Sequence, residues 1–371
     1  MVLCLSDILF VKNTYSFWIN HFDSIIFDSK LTELIVKENI SLKAFNTFGI
    51  DVKAKFFVEI NSEKDIFSFL KLIKESKKEF LILGGGSNIL FSKNFDGIVG
   101  EINTKGIRIC KEDDNYVQLK VKAGEEWDNL VDFCANNNFN GIENLSMIPG
   151  TCGAAPIQNI GAYGTELKDV LVELEAIEIE SETTKIFHNN DCEFSYRNSI
   201  FKNKLKGKFL ITSITLELYK KPIFKIDYGT IKEEIKELNE QRLSAKVIRT
   251  AICNIRRRKL PNPLEIGNAG SFFKNPIVSD LMFQEIEESV PEIKSFSHEN
   301  DTLKLSAAQL IELCGWKDKK IGNVGTYANQ PLVLVNYGNA PGEEIILFAN
   351  MIKQSVFKKF GLKLENEVNQ I

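Results

Sequence analysis

The chain has 371 residues, 44% apolar and 26% charged, close to globular averages. That length allows two or three domains and ample material for a core. A net charge of −4 excludes a nucleic-acid binder that works by bulk basic charge, so an anionic ligand would rest on local Lys and Arg.

Residues 1–38 read as an extension of unassigned role. Their apolar start lacks a basic n-region and a small-residue cleavage site, and Asp7 interrupts it. Residues 54–60 predict a strand. Residues 63–77 predict a helix, with Ile66, Phe67, Leu70 and Ile73 at helical spacing. Phe80–Leu83 reads as a buried strand running into Gly84-Gly85-Gly86-Ser87-Asn88, and Ile98–Ile102 as a further strand. From Val117 the stretch VQLKVKAG alternates like a half-exposed strand, and WDNLVDFCANNN is an amphipathic helix. Residues 148–164, IPGTCGAAPIQNIGAYG, are too rich in Gly, Pro and Ala for regular structure. A long ordered loop of this kind is often functional. Strands are expected at 170–179 and 209–218, with a boundary near 219–224. Residues 229–259 read as mostly helical, ending before Pro261 and Pro263. A helix at 306–314, a strand at 332–335 and a helix at 343–359 follow. No apolar run reaches the ~18 residues of a spanning helix, so membrane insertion is not expected.

The seven Cys (4, 110, 134, 152, 192, 253, 314) are odd in number and contain no C-x-x-C pair. Reduced thiols fit better than a disulfide framework or a zinc knuckle. His21, His188 and His298 are far apart, with no metal-ligand spacing, and no metal is expected.

Six stretches carry possible chemistry. Successive glycines after a strand, in GGGSN, leave backbone N–H groups pointing one way, an anion nest suited to a pyrophosphate; a plain tight turn fits equally. It is neither a Walker A loop nor G-x-G-x-x-G. In the 148–164 loop, Gly150, Gly153, Gly161 and Gly164 allow close approach, and Thr151, Gln158 and Asn159 add uncharged hydrogen-bonding groups. An extended cofactor with a pyrophosphate and an aromatic ring system would use that combination; an Ω-loop packed on itself is the alternative. In GNAGSFFKNP, Ser271 is a proton donor for a strong base or a helix cap with Phe272 and Phe273 in the core, and Lys274 and Asn275 suit polar or anionic groups. Arg197, between Tyr196 and Asn198, suits a carboxylate or a surface ion pair. In Arg256-Arg257-Arg258-Lys259 a solvated helix end accounts for most of the run, leaving Lys259 to face a pocket. The carboxylates of LENEV (364–368) are catalytic or merely solvated.

In chain order, NTFGID (46–51), GGGSN, IPGTCGAAPIQNIGAYG, YRNS, GNAGSFFKNP and LENEV together resemble the UDP-N-acetylenolpyruvoylglucosamine reductase family of bacterial peptidoglycan precursor synthesis. The likeness covers about residues 40–368. YRNS and the following length resemble the subtype with a YRxS motif and a substrate-loop tyrosine, here Tyr228. The resemblance implies an α+β chain: a two-subdomain FAD-binding module of the vanillyl-alcohol-oxidase/PCMH type, then an α+β substrate-binding domain. The divisions would be 1–38, 39–108, 109–220 and 221–371.

The resemblance further implies non-covalent FAD, NADPH as co-substrate, and reduction of an enolpyruvyl ether on a nucleotide-sugar to a lactyl ether. NADPH would pass hydride to FAD, and flavin N5 would pass it to C3 of the enolpyruvyl group. Arg197 and Glu367 match positions that stabilise the charge arising at C2. For Glu367 to help, it should be protonated or hydrogen-bonded, since bare carboxylates repel. Ser271 matches the proton donor to C2. Gly84, Gly85, Gly86, Ser87, Asn88, Ile148, Pro149, Gly150, Thr151, Gly153, Asn159, Gly161, Ala162, Tyr163 and Gly164 match the cofactor cradle. Tyr228, Lys259, Asn275 and Gln330 match substrate positions, with Lys259 on the diphosphate. Asn366 and Asn369 depart from the Pro and Arg common there. A cytoplasmic monomer without nucleic-acid partners is the expected setting. The competing reading is an O₂-using flavin oxidase of the same fold group; such enzymes often tether FAD through His or Cys, and only Cys152 lies near enough in sequence. A flavin-binding module without catalysis is a second alternative, against which Arg197, Ser271 and Glu367 stand together.

Overall fold

The computed structural model describes residues 34–371 apart from 222, 241 and 298–300, so most of the 1–38 extension lies outside the described residues. β1 (Val36–Ser41) runs antiparallel to β2 (Lys53–Ile60), which places the boundary at residue 38 inside a strand. Ser62 opens α1 (Glu63–Ser76) with a capping box. Its hydroxyl accepts the Asp65 amide at 3.2 Å, and the Asp65 carboxylate accepts the Ser62 amide at 2.9 Å. Ile66, Phe69, Leu70 and Ile73 form the buried face. Phe67, expected on that face, is turned about 100° from Ile66 and is 38% exposed. β3 (Phe80–Leu83) and β4 (Phe95–Ile102) complete a sheet in the order β1-β2-β4-β3, with β2, β4 and β3 parallel. Parallel strands need a crossover, and α1 supplies it between β2 and β3.

The second sheet is antiparallel. It holds β5 (Ile107–Glu112), β6 (Tyr116–Lys122), β7 (Leu171–Glu178), β8 (Thr184–His188) and β9 (Phe209–Tyr219), in the order β8-β7-β9-β6-β5. The period-2 pattern of β6 sends Val117, Leu119 and Val121 to one face. There they pack in one cluster with Trp127, Leu130, Val131 and Cys134 of α2 (Trp127–Asn136). Between α2 and β7 the 148–164 loop contains a short 3-10 turn at Ala155–Gln158 and starts a hairpin that pairs Gly161–Ala162 with Thr165–Glu166.

The stretch expected to be one mostly helical run is two helices. α3 (Ile231–Leu238) stops at Asn239, which is left-handed at φ 52°, and Ser244 caps α4 (Ala245–Lys259). The chain continues through β10 (Gly267–Ser271), β11 (Ile277–Ser279), α5 (Asp280–Ser289), β12 (Ser295–Ser297), β13 (Thr302–Leu305), α6 (Ala307–Leu313), β14 (Lys320–Ile321), β15 (Val324–Tyr327), β16 (Gln330–Asn336) and α7 (Gly342–Phe360). These strands form two small sheets, β10-β16-β15-β14 and β11-β13-β12. The whole is α+β, as expected.

One apolar cluster joins the first sheet to this last third: Leu42, Phe48, Leu90, Phe272, Phe273, Leu334 and Phe348 belong to it. The tail is stitched to the same place. Asn369–Gln370 pairs parallel with Ile89–Leu90, and the Ile371 carbonyl accepts the Ser92 amide at 2.7 Å. The last residues therefore lie directly beside the chain that follows the GGGSN loop.

Candidate active site

β3 delivers the GGGSN loop to the edge of the first sheet. Gly86 is left-handed at φ +59°, and a Cβ there would run into the Phe45 carbonyl oxygen. A Cβ on Gly85 would stand 2.9 Å from the Gly150 Cα, so the loop at 148–164 lies directly against the glycines. Ser87 Oγ donates to the Pro149 carbonyl at 3.1 Å, and Asn88 Nδ2 donates to Gln158 Oε1 at 2.6 Å and to the Glu367 carbonyl at 3.3 Å. Three stretches that are distant in sequence thus meet. The amides of Gly85, Gly86 and Ser87 donate to no protein acceptor among the described residues. Consecutive free amides around a left-handed residue form an anion nest, and this observation fits a pyrophosphate.

The long loop is held by its own side chains. Asn159 is wholly buried. Its Nδ2 donates to Glu166 Oε2 at 2.8 Å and to the Ser195 carbonyl at 3.2 Å, and its Oδ1 accepts the Lys168 amide at 3.0 Å. What Asn159 offers a ligand is therefore backbone. Thr151 packs on Gly84, Gly153 on Ala123, and Gly150, Tyr163 and Gly164 all take positive φ. Ile148, Pro149, Gly161 and Ala162 are partly or fully exposed along this surface. Cys152, the one candidate tether, is fully buried, and burial pushes its thiol pKa far up, so it is an unreactive core thiol.

Arg197 stands at φ 53° in a tight turn where Ser195 and Asn198 exchange backbone hydrogen bonds. Its Nε donates to Glu367 Oε1 at 2.8 Å and its Nη2 to the Gly161 carbonyl at 2.7 Å. The two side chains are only 19% and 12% exposed. Burial opposes the Arg197 charge, but Glu367, Tyr196 and Glu166 outweigh it and hold the guanidinium above its ordinary pKa. Nη1 donates to no acceptor among the described residues, which leaves it for a ligand. Glu367 is placed by its backbone: its amide donates to the Phe272 carbonyl at 2.8 Å. Ser271, one residue earlier, follows the left-handed Gly270 and lies in β10, paired with Val333. It caps no helix, while Phe272 and Phe273 are core residues as the plainer reading held. Its half-buried hydroxyl makes no protein hydrogen bond among the described residues.

Of the substrate candidates, Tyr228 makes an edge contact with Tyr163, centroids 6.0 Å apart, and lies 6.3 Å from Phe296 with nearly parallel rings. It bridges the loop and β12. Asn275 accepts the first amide of α6 through Oδ1 at 2.9 Å. Gln330 has a buried Oε1 without a partner, and Lys259 is exposed at the end of α4.

Sequence reasoning missed two features here. A cationic rim surrounds the Arg197–Glu367 pair: Lys304 Nζ lies 4.5 Å from the Tyr196 ring centroid, and Lys202 Nζ donates to the Arg197 carbonyl at 3.5 Å. Burial, then Lys274, holds the Lys202 ammonium below its ordinary pKa. Arg256 requires a correction. Arg257 is solvated as expected; Arg258 is exposed but pairs with the buried Glu234 of α3, and the Arg256 Nε is sealed from water, because helical geometry turns it inward toward Met147. Its place four residues after the buried Ile252, on the same helix face, was the available signal.

Comparison with known proteins agrees with this geometry. Residues 54–186 match the family described as FAD binding domain, and residues 262–371 match the C-terminal domain of UDP-N-acetylenolpyruvoylglucosamine reductase. The chain is 46% identical to the UDP-N-acetylenolpyruvoylglucosamine reductase of Flavobacterium johnsoniae over 338 residues, 91% of this chain and 99% of that one. It is 39% identical to the enzyme of the same name from Pseudomonas putida, covering 90% and 98%. The solved UDP-N-acetylenolpyruvylglucosamine reductase of Thermus caldophilus is 20% identical with a TM-score of 0.64, covering 91% and 99%, a likeness of fold. On the strength of these relatives, the chain belongs to the UDP-N-acetylenolpyruvoylglucosamine reductase family.

Proposed function

We propose that Arg197, Glu367 and Ser271 carry the reducing chemistry of this chain. The chain is an FAD-dependent oxidoreductase that reduces UDP-N-acetylglucosamine enolpyruvate to UDP-N-acetylmuramate with NADPH. The observation that carries the residue-level reading is the Arg197–Glu367 pair, formed across 170 residues of sequence beside the strand of Ser271.

FAD, when bound, supplies the two-electron relay between NADPH and the enolpyruvyl double bond. The free amides of Gly85, Gly86 and Ser87 would hold its pyrophosphate, and the loop surface from Ile148 to Gly164 would take the rest. Arg197 directs Nη1 at the substrate carboxylate, because Glu367 and Gly161 fix its other nitrogens. As C3 gains hydrogen with its bonding pair, charge moves onto C2 and that carboxylate, where a preorganised guanidinium lowers the barrier. Ser271 then gives its proton to C2 and regains one from solvent, so one C–H bond forms at each carbon and the π bond is consumed. The hydroxyl has no competing protein acceptor among the described residues, which suits a donor. Glu367 acts through Arg197 as the hydrogen-bonded carboxylate.

Tyr228, Asn275 and Gln330 would hold the nucleotide-sugar, with Lys259 on its diphosphate, and the nicotinamide would use the same pocket in turn. The cradle lies in 39–108 and 109–220 and the substrate residues in 221–371, which supports that division. Among the described residues no helix is long and apolar enough to cross a membrane. We assign the protein to the cytoplasm as a monomer.

The test is NADPH oxidation with and without enolpyruvyl substrate. Strict dependence supports the reading, and turnover with O₂ alone sinks it. Acid denaturation should release free FAD, since Cys152 is buried; flavin that stays attached favours the tethered oxidase.

A further inference from the structure

Arg256 lies in the last turn of α4 and points away from its exposed neighbours Arg257 and Arg258. Its Nη2 donates to the Met147 carbonyl at 3.2 Å, and Tyr163 packs against the Ile248, Ile252 and Ile255 face of the same helix. Its Nε is buried with no partner. No carboxylate lies within ion-pair distance of it among the described residues. Asp128, whose field reaches it, is already committed: Arg249 Nη1 and Nη2 donate to its two oxygens at 2.5 and 3.0 Å, and the Met147 amide donates to Oδ1 at 2.5 Å. A partly buried cation with no ion-pair partner and a sealed Nε is costly, and burial holds the pKa of Arg256 below the ordinary guanidinium value.

Met147 and the nearby Tyr163 locate the place where an anion would relieve that cost. Met147 leads into Ile148–Gly150, which lies against Gly85 and Ser87 of the nest, and Tyr163 stands at the other end of the same loop. We infer that Arg256 is a fixed counter-charge for an anionic group of FAD, reaching the cofactor from the helix that also carries Lys259. The inference rests on the FAD reading above. Two groups of FAD offer that chemistry: the pyrophosphate, and the N1–C2=O edge of the ring once reduced.

The test uses full-length protein stripped of flavin and reconstituted with FAD, comparing the parent with Arg256→Gln and Arg256→Lys. The dissociation constant is read by flavin fluorescence and the two-electron midpoint potential against a reference dye. Arg256→Gln should weaken the hold on FAD at least ~10-fold in one redox state, the scale of a lost charge-assisted contact. A weaker hold on oxidised FAD with an unchanged potential assigns the pyrophosphate. A potential lowered by about 30 mV, the equivalent of tenfold for two electrons, with unchanged oxidised affinity assigns the reduced ring. Arg256→Lys should recover part of either loss. Arg256→Met, of similar length without the charge, serves if the glutamine variant does not fold. A folded neutral variant with parental affinity and potential overturns the inference, as does one whose sole defect is a raised KM for the enolpyruvyl substrate. Failure of the parent to take up FAD would instead overturn the cofactor reading itself.

Discussion

Replacing Glu367 separates positioning from charge. Glu367→Ala removes the acceptor of Arg197 Nε and leaves a guanidinium only 19% exposed with the Gly161 carbonyl as its remaining hydrogen-bond acceptor. Breaking a fully buried pair costs roughly 3–5 kcal/mol, and the residual exposure here trims that to about 2–3 kcal/mol. For a cooperative unit of 371 residues the unfolding entropy is roughly 0.8 kcal/mol per degree, so Tm should fall about 3–4 °C. The larger effect is on rate. A catalytic group displaced by ~1 Å costs about 10²-fold, so kcat for enolpyruvyl reduction should drop about 100-fold. Glu367→Gln keeps an oxygen where Nε donates, and should hold kcat within about tenfold of the parent. Steady-state NADPH oxidation and thermal melts read both quantities. If the glutamine variant is as slow as the alanine variant while melting like the parent, the charge or proton of the carboxyl is what matters, and the positioning argument is wrong.

Arg257→Ala should leave kcat and KM nearly unchanged, because that side chain is solvated, while Lys259→Ala should chiefly raise KM; equal rises in KM would mean a diffuse electrostatic patch instead. Asp128→Ala removes the clasp that ties α2 to Arg249 of α4 and to Met147, at a cost of about 1–2 kcal/mol after allowance for partial exposure. Burial works to raise the pKa of Asp128, but Arg249 and the Met147 amide outweigh it and depress the value in the fold. The clasp therefore adds stability above the unfolded carboxyl pKa near ~4 and loses it as pH falls through the lower folded value. Parent and variant melting temperatures should converge in acid; a gap that widens below pH ~4 contradicts the assignment.

Local signals explain what was legible. Ser62 and Asp65 announce the start of α1, and Val117, Leu119 and Val121 announce a one-sided strand, because periodicity and caps are short-range. The GGGSN loop was readable as a nest, but that Gly85 meets Gly150 is a tertiary fact. Phe67 was misplaced because it follows Ile66 by one residue, a 100° step off the stripe that Phe69 completes at i+3. The strands Ile277–Ser279 and Ser295–Ser297 have three residues each, too few for a period to show. Arg256 was hidden inside a run of four basic residues, where only the 100° step of the helix tells the buried one from the solvated ones. The Arg197–Glu367 contact was suggested only by resemblance to a family, since nothing local links residues so far apart.

Stopped-flow spectroscopy of the flavin band in Ser271→Ala isolates the proton-donating step. Ser271 is assigned to protonation of C2, which comes after NADPH has been consumed. Reduction by NADPH should therefore proceed at the parental rate. Reoxidation by the enolpyruvyl substrate should slow at least ~10²-fold, the lower range for losing a positioned general acid, and Ser271→Cys should recover part of it. A folded alanine variant whose flavin reoxidises at the parental rate would contradict the account.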